Sequence, residues 1–355
     1  MRVAFDTSVT DLDRGGITRY VEALVAALEA DPNGIDLVPI SMFNEWPWTR
    51  RLERHLQVIA HDQFWVRSGA VTAARRLEAE ILHGAAFKVA PVTEPAASLT
   101  IHDDTPWDQP PTASLYNRLN LRRSLSAAAP VARGALVSTD TTAAAVLRHL
   151  PDLEGKLFVT PFGIDHNAFR PVPQHVIEGA RGRHGILGRP YVLMVGPYGP
   201  RKNFASMMEA LTRAKRRPPD LAVVVTGRAA SPVRSAMPVI STGYVDDPQL
   251  AALYSGAEFL FYASKSEGFG FPVLEAMACG CPVLTSRGTV LEELGGNAAV
   301  VVDPRDADDM AAGCDLLLGD PAERQDRAGR GLERAAAFSW DLTAQASADA
   351  WRAMA

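Results

Sequence analysis

Cysteine is scarce in this chain. There are three in 355 residues (Cys279, Cys281 and Cys314), too few for a disulfide framework and without zinc-ligand spacing to any histidine. There is no run of 18 apolar residues and no charged-then-apolar leader, so neither a membrane span nor a secretory signal is expected. A basic excess is also missing: 36 Lys and Arg stand against 41 Asp and Glu, for a net charge of −5. That balance argues against nucleic acid as a partner. No Gly-x-Gly-x-x-Gly follows a predicted strand, which makes a Rossmann oxidoreductase a distant reading. No Asp-x-Asp motif sits at a strand end, so no divalent metal and no cofactor are expected. Repeats and low-complexity tracts are absent. The expectation is a cytoplasmic protein with small buried thiols.

What is present is ordinary for a soluble globular chain, with 47% apolar and 22% charged residues, and the length suits two domains. The pattern alternates strand and helix throughout. Met1–Asp6 reads as a first strand, followed by the glycine turn Asp13-Arg-Gly-Gly-Ile-Thr-Arg-Tyr20 and a helix from Val21 to Ala30. Further strands are predicted at 36–40, 81–84, 97–101, 134–139 and from Lys156, with helices at 114–126 and 141–149. Residues 44–56, with Trp46, Trp48 and an arginine cluster, read either as a solvated helix anchored by two aromatics or as a surface for acceptor or membrane. The basic helix 114–126 could dock on anionic lipid, but solvation is its default. A linker rich in Pro and Gly, Phe169–Gly188, marks the boundary. Beyond it the alternation resumes, with strands at 191–196, 221–226, 239–241, 259–262 and 282–284. This is the pattern of an α/β protein with two doubly wound, Rossmann-like sheets, whose ligands gather at the strand C-termini.

The richest stretch is Ser264–Leu284, SKSEGFGFPVLEAMACGCPVL. Gly268 and Gly270 open a loop, Pro272 suits the first position of a helix and Gly280 its stop. A glycine loop at a helix N-terminus offers free N–H groups to an anion. Glu267 in the loop and Glu275, placed in the first helical turn, are out of place for phosphate alone. They suit a ligand that also carries hydroxyls. Arg201 and Lys202, between the strand ending at Gly196 and the next helix, form a cationic clamp for a diphosphate. His102 lies at the end of the strand 97–101, where a parallel sheet presents its ligands.

The spacing Glu267-x7-Glu275, the Gly…Arg-Lys-Asn context and Ile-His-Asp at 101–103 resemble the retaining nucleotide-sugar glycosyltransferases of family 4. The resemblance is dense over 156–340 and sparser before. It implies the GT-B architecture: an N-terminal acceptor-side domain over 1–168 and a donor-binding domain over 169–340, facing each other across a cleft. The last helix, about 341–355, would pack back on the first domain. It implies that Glu267 faces the donor sugar and Glu275 holds the ribose, with His102 beside the sugar and Arg201 and Lys202 neutralising the departing diphosphate. It further implies donor contacts from Gly15, Gly16, Gly196, Gly227, Tyr244, Val245, Gly268, Phe269 and Gly270, and acceptor contacts from Asp103 and Arg19. Where the family has Asn, this chain has Phe162, a departure expected to touch hinge detail more than chemistry. The implied reaction is transfer of a hexose, mannose from GDP-mannose by the look of the motif contexts, to an acceptor hydroxyl. A sugar-nucleotide epimerase or hydrolase of the same fold, and a non-catalytic nucleotide-sugar-binding subunit, stay open at this stage.

Overall fold

A computed structural model describes the chain except for residues 13–14, 32, 108–114, 197–200 and 228–236. Asp13 and Arg14 of the first glycine turn, residues 197–200 of the clamp loop and Ser114 at the start of the basic helix thus lie outside the described residues. The chain forms two compact units: Met1–Gly163 together with Trp340–Ala355, and Ile164–Ser339. Among the described residues no helix is long and apolar enough to cross a membrane.

The first unit is built on six parallel strands: β1 (Arg2–Asp6), β2 (Asp36–Ile40), β3 (Ile81–Gly84), β4 (Ala96–Ile101), β5 (Gly134–Val137) and β6 (Leu157–Val159). Their order is β2-β1-β3-β4-β5-β6. Every residue of β3 and β5 is buried, as expected of strands covered by helices on both faces. After β1 comes a short helix, Val9–Leu12, and the helix predicted from Val21 starts earlier, at Gly16, with the extended Gly15 (φ −120°) at its N-cap. Residues 44–56 are not one helix. Pro47 opens a tight turn, Leu52 and Glu53 are extended, and a new helix begins at Arg54. Trp46 packs edge-on against the buried Trp65, whereas Trp48 is 58% exposed and only stacks on Trp46.

The helix Trp340–Met354 closes this unit. Its Trp351 is fully buried, edge-on to His83, and its indole N–H donates to His83 Nδ1 at 3.2 Å. With Nδ1 accepting, His83 carries its proton on Nε2 and donates to Thr100 Oγ1 at 2.9 Å. Thr100 in turn shares a hydrogen bond of 3.0 Å with the buried Tyr20 hydroxyl. Burial, reinforced by the nearby His102, pushes the His83 imidazole down to about 3. The unfolded chain therefore takes up this proton near pH 6.5 while the folded chain refuses it until about pH 3, so stability is lost as pH falls through that window. By this group alone the first unit should lose ~2 kcal/mol between pH 7 and pH 5. Urea midpoints at the two pH values, compared with those of His83→Gln, check it. Equal acid losses in both proteins would contradict it.

The second unit repeats the plan with β7 (Tyr191–Val195), β8 (Ala222–Thr226), β9 (Val239–Gly243), β10 (Phe259–Tyr262), β11 (Val283–Ser286) and β12 (Val300–Val302), all parallel and ordered β12-β11-β10-β7-β8-β9. The Pro- and Gly-rich stretch read as a linker holds a helix, Gln174–Arg183, which buries Ile177 and Ala180. Gly179 has only open space around it and Gly182 only a loose contact with Leu187. The helix glycines that suggested a linker therefore carry no packing load.

In each sheet the chain starts at an inner strand, runs one way, then returns to the other side of that strand. The reversal lies between β1 and β3 in the first unit and between β7 and β10 in the second. Crevices outside the carboxyl ends of such strand pairs are where open α/β sheets bind ligands.

Candidate functional site

At the β7/β10 crevice, two loops of the second unit lock together. The loop after β7 brings Arg201 and Lys202, and the loop after β10 brings Glu267. The Glu267 carboxylate, 8% exposed, accepts from Arg201 at 3.1 Å, from Lys202 Nζ at 2.8 Å and from the Tyr262 hydroxyl at 3.1 Å. Lys202 also donates to the Tyr262 oxygen at 2.5 Å and sits 4.9 Å from the ring centroid. Arg201 fastens the loops further, donating to Ser266 O at 2.9 Å and accepting from Lys265 N–H at 2.9 Å. The result is a partly buried group of two cations, one carboxylate and one phenol, with Arg201 the most exposed member. Burial lowers the Lys202 ammonium from its ordinary value, and Glu267 opposes that shift. Burial beside Glu267 holds Tyr262 well above a normal phenol, so it stays a hydrogen-bond donor.

Gly270 caps the helix Phe271–Ala278 at φ +115°, and a Cβ there would fall 2.3 Å from Leu291 Cδ2. Gly270→Ala should therefore cost about 2 kcal/mol in strain and contact and lower the melting temperature of this unit by roughly 5 °C. A melting curve unchanged within 1 °C would refute this. Phe269 turns inward instead, 5% exposed against Phe271 and Phe338, so at this position only the backbone faces the loop surface.

Glu275 does not lie in the first helical turn. It is the fifth residue of the helix, 2% exposed, and accepts from the buried Tyr254 hydroxyl at 3.0 Å. The helix begins earlier than Pro272 because Phe271 precedes it inside the first turn. The Gly196, Gly227 and Gly243 backbones pack at the ends of β7, β8 and β9, with Gly227 N–H donating to Gly243 O at 2.8 Å. Tyr244 is 89% exposed, while Val245 is buried. The three thiols are free and buried, and burial raises each; Cys279 is pushed up to about 12.

In the first unit His102 follows β4 and is 6% exposed. Its Nε2 donates to Ala85 O at 2.9 Å, so Nδ1 carries the lone pair, and burial keeps the ring neutral by lowering its proton affinity. Tyr20, Phe87 and Phe162 surround the ring at 5.3, 5.5 and 5.6 Å. Phe162 thus belongs to the wall around His102, and it also lies one residue before Gly163, where the first unit's main segment ends. Asp103 caps its own turn through Thr105 N–H at 3.0 Å. Gly15 and Gly16 stand at the N-terminus of the helix Gly16–Ala30, and Arg19 lies in its first turn.

Several functional candidates escaped the sequence. Tyr262 and Tyr254 lie 60 and 21 residues from the groups they hold, Lys202 and Glu275. The one available signal was that Tyr262 ends the strand feeding the Glu267 loop.

Residues 177–334 match the family model described as glycosyl transferases group 1. The MMP alpha-(1->4)-mannosyltransferase of Mycolicibacterium hassiacum is 25% identical over 310 residues, covering 79% of this chain and 72% of that protein. The O-antigen chain mannosyltransferase B of Escherichia coli is 46% identical over 99 residues, 28% of this chain and 26% of the relative. The GDP-mannose-dependent alpha-(1-6)-phosphatidylinositol monomannoside mannosyltransferase of Mycolicibacterium smegmatis is 31% identical over 195 residues, 50% of this chain and 48% of the relative. The matched region thus spans from a quarter to about three quarters of these relatives. Among solved structures, the Anabaena protein HepE in complex with UDP and glucose superposes with a TM-score of 0.70 at 16% identity, over 99% of both chains. A glycosyltransferase from Rickettsia africae gives 0.72 at 14% identity, over 99% of this chain and 98% of that one. Residues 177–334 thus carry a glycosyl transferases group 1 domain, and the two parallel sheets have the GT-B fold.

Proposed function

We propose that this protein transfers a hexose, in the first instance mannose from GDP-mannose, to an acceptor hydroxyl with retention of anomeric configuration and without a divalent metal. One observation carries the reading: Arg201, Lys202 and Tyr262 converge on the buried Glu267 at the β7/β10 crevice. A diphosphate needs preorganised positive charge as it departs, and two cations held by a buried carboxylate supply it without reorganisation. Lys202 has donors beyond those used by Glu267 and Tyr262, and Arg201 presents a guanidinium fork. Glu267 accepts hydrogen bonds only, which suits sugar hydroxyls, and Glu275 is assigned to the ribose in the same way. The neutral His102, with Nδ1 bare, offers an acceptor to a sugar hydroxyl rather than a charge. Positioning and charge stabilisation, not proton shuttling, do the chemistry. The names of the matched relatives support mannose as the first sugar to test.

The experiment is thermal stability against GDP, UDP, ADP and dTDP and their sugars, with and without EDTA. A nucleotide at about 100 times its dissociation constant adds roughly 2.7 kcal/mol to stability. A shift with GDP and GDP-mannose, indifferent to EDTA, is the expected result. A shift with another base corrects the donor, and no shift with any nucleotide removes the proposal. Consumption of the donor at full speed without acceptor would favour a hydrolase or epimerase.

A further inference from the structure

The first unit holds a cavity of about 630 Å³ that no role assigned above uses. It lies beside the carboxyl end of β3, on the side where this sheet reverses. Lys88, Val89, Pro91 and Val92 from the β3–β4 connection form one wall. The segment His61–Gly69 and the helix Leu115–Ala128 complete it. Two features stand out. One part of the lining is apolar, with Val66, Val89, Val92, Leu119 and Ala127 in it, and Tyr116 and Leu119 are 51% and 42% exposed. The charges are mostly of one sign, with Arg67, Lys88 and Arg123 against the single carboxylate of Asp62.

Asp62 is already spoken for. Its side chain is 3% exposed and accepts from Lys88 Nζ at 2.5 Å and from Asn120 at 2.5 Å, with His61 Nδ1 at 3.0 Å. Arg67 and Arg123, both exposed, make no ion pair among the described residues. In a chain of net charge −5, one cavity carrying three cations, one carboxylate and an aliphatic wall is selective. It suits a molecule with an anionic head and an apolar tail, and its volume lies within the range of small-molecule sites.

We propose that this cavity binds a phosphorylated lipid chain, with the phosphate at Arg67 and Arg123 and the first part of the chain along Val66, Val89, Val92 and Leu119. That this lipid is the sugar acceptor, or carries it, rests on the transferase reading. The binding itself does not.

The probe is dodecyl phosphate below its micelle concentration, titrated by calorimetry against the full-length protein without any nucleotide sugar. Inorganic phosphate and dodecanol serve as the two halves of the probe. Dodecyl phosphate should bind at least tenfold more tightly than either half. Arg67→Gln with Arg123→Gln should weaken it about tenfold, and Ala127→Trp, which fills the cavity from an exposed helix position, should abolish it. Ala127→Trp should keep the parent's circular dichroism spectrum and melt within 2 °C of it, which shows that the chain still folds. Failure of dodecyl phosphate to bind would overturn the proposal, as would binding unchanged in Ala127→Trp. Equal binding of phosphate alone would overturn the lipid part. A donor panel that fails while dodecyl phosphate binds would remove the transferase reading and leave this site standing.

Discussion

Lys202→Ala should lower kcat for sugar transfer by roughly 10²–10³-fold, the usual loss when one preorganised donor to a developing anion is removed. The fall should appear in kcat and not only in KM, because a charge that develops as the diphosphate departs is met in the transition state more than in the bound donor. Glu267→Gln should also be slow, but the pair should not add. In the folded protein Lys202 and Glu267 are 2.8 Å apart and both are hydrogen-bonded to Tyr262. Each single substitution therefore disturbs the partner left behind, and the double variant should fall short of the sum by ~1 kcal/mol or more. Steady-state kinetics with GDP-mannose and the acceptor found for it would measure the cycle. A Lys202→Ala enzyme within twofold of the parent would sink the role given to this lysine.

The second large effect concerns stability. Trp351→Ala should destabilise the first unit by about 3–5 kcal/mol, the range for removing a buried aromatic from a core. Trp351 is fully buried, packs edge-on against Phe5 and His83, and supplies a hydrogen bond to His83 Nδ1. At the scale of this unit that loss corresponds to roughly 10 °C in melting temperature. Trp351→Phe should lose less, since it keeps most of the buried area and gives up the indole N–H. The contrast between the two variants separates packing from hydrogen bonding. If Trp351→Ala melted within 2 °C of the parent, the helix Trp340–Met354 would not be part of the first unit's core.

That helix was expected from the family resemblance alone, whereas most strands were legible from pattern, since β7 and β10 are apolar runs between turn residues and need no partner to be recognised. Local composition misled in two places. Pro171, Pro173 and the glycines after them suggested a linker, yet a helix forms there because Ile177 and Ala180 find a core to bury against. The two tryptophans at 46 and 48 suggested a matched pair of anchors, and only Trp46 is packed inward.

For the candidate site the division is sharper. Residue types and spacing within one loop carry Glu267, Gly268, Gly270, Arg201 and Lys202, because turn chemistry and helix starts are set by neighbours in the chain. Which loops meet is a property of strand order. The reversal between β7 and β10 brings the Arg201 loop against the Glu267 loop, and the reversal between β1 and β3 sets the Asp62–Lys88 pair beside a partly apolar cavity. The sequence by itself determined the alternating α/β plan, the glycine at Gly270 and the charged residues of the clamp. Only the tertiary structure decided that Tyr262 joins Lys202 to Glu267, that Phe162 walls His102, and that Glu275 lies buried under Tyr254. Apart from Tyr262 and Glu267, five residues apart, those contacts pair residues distant in the chain, whose meeting depends on sheet order and packing that no local window contains.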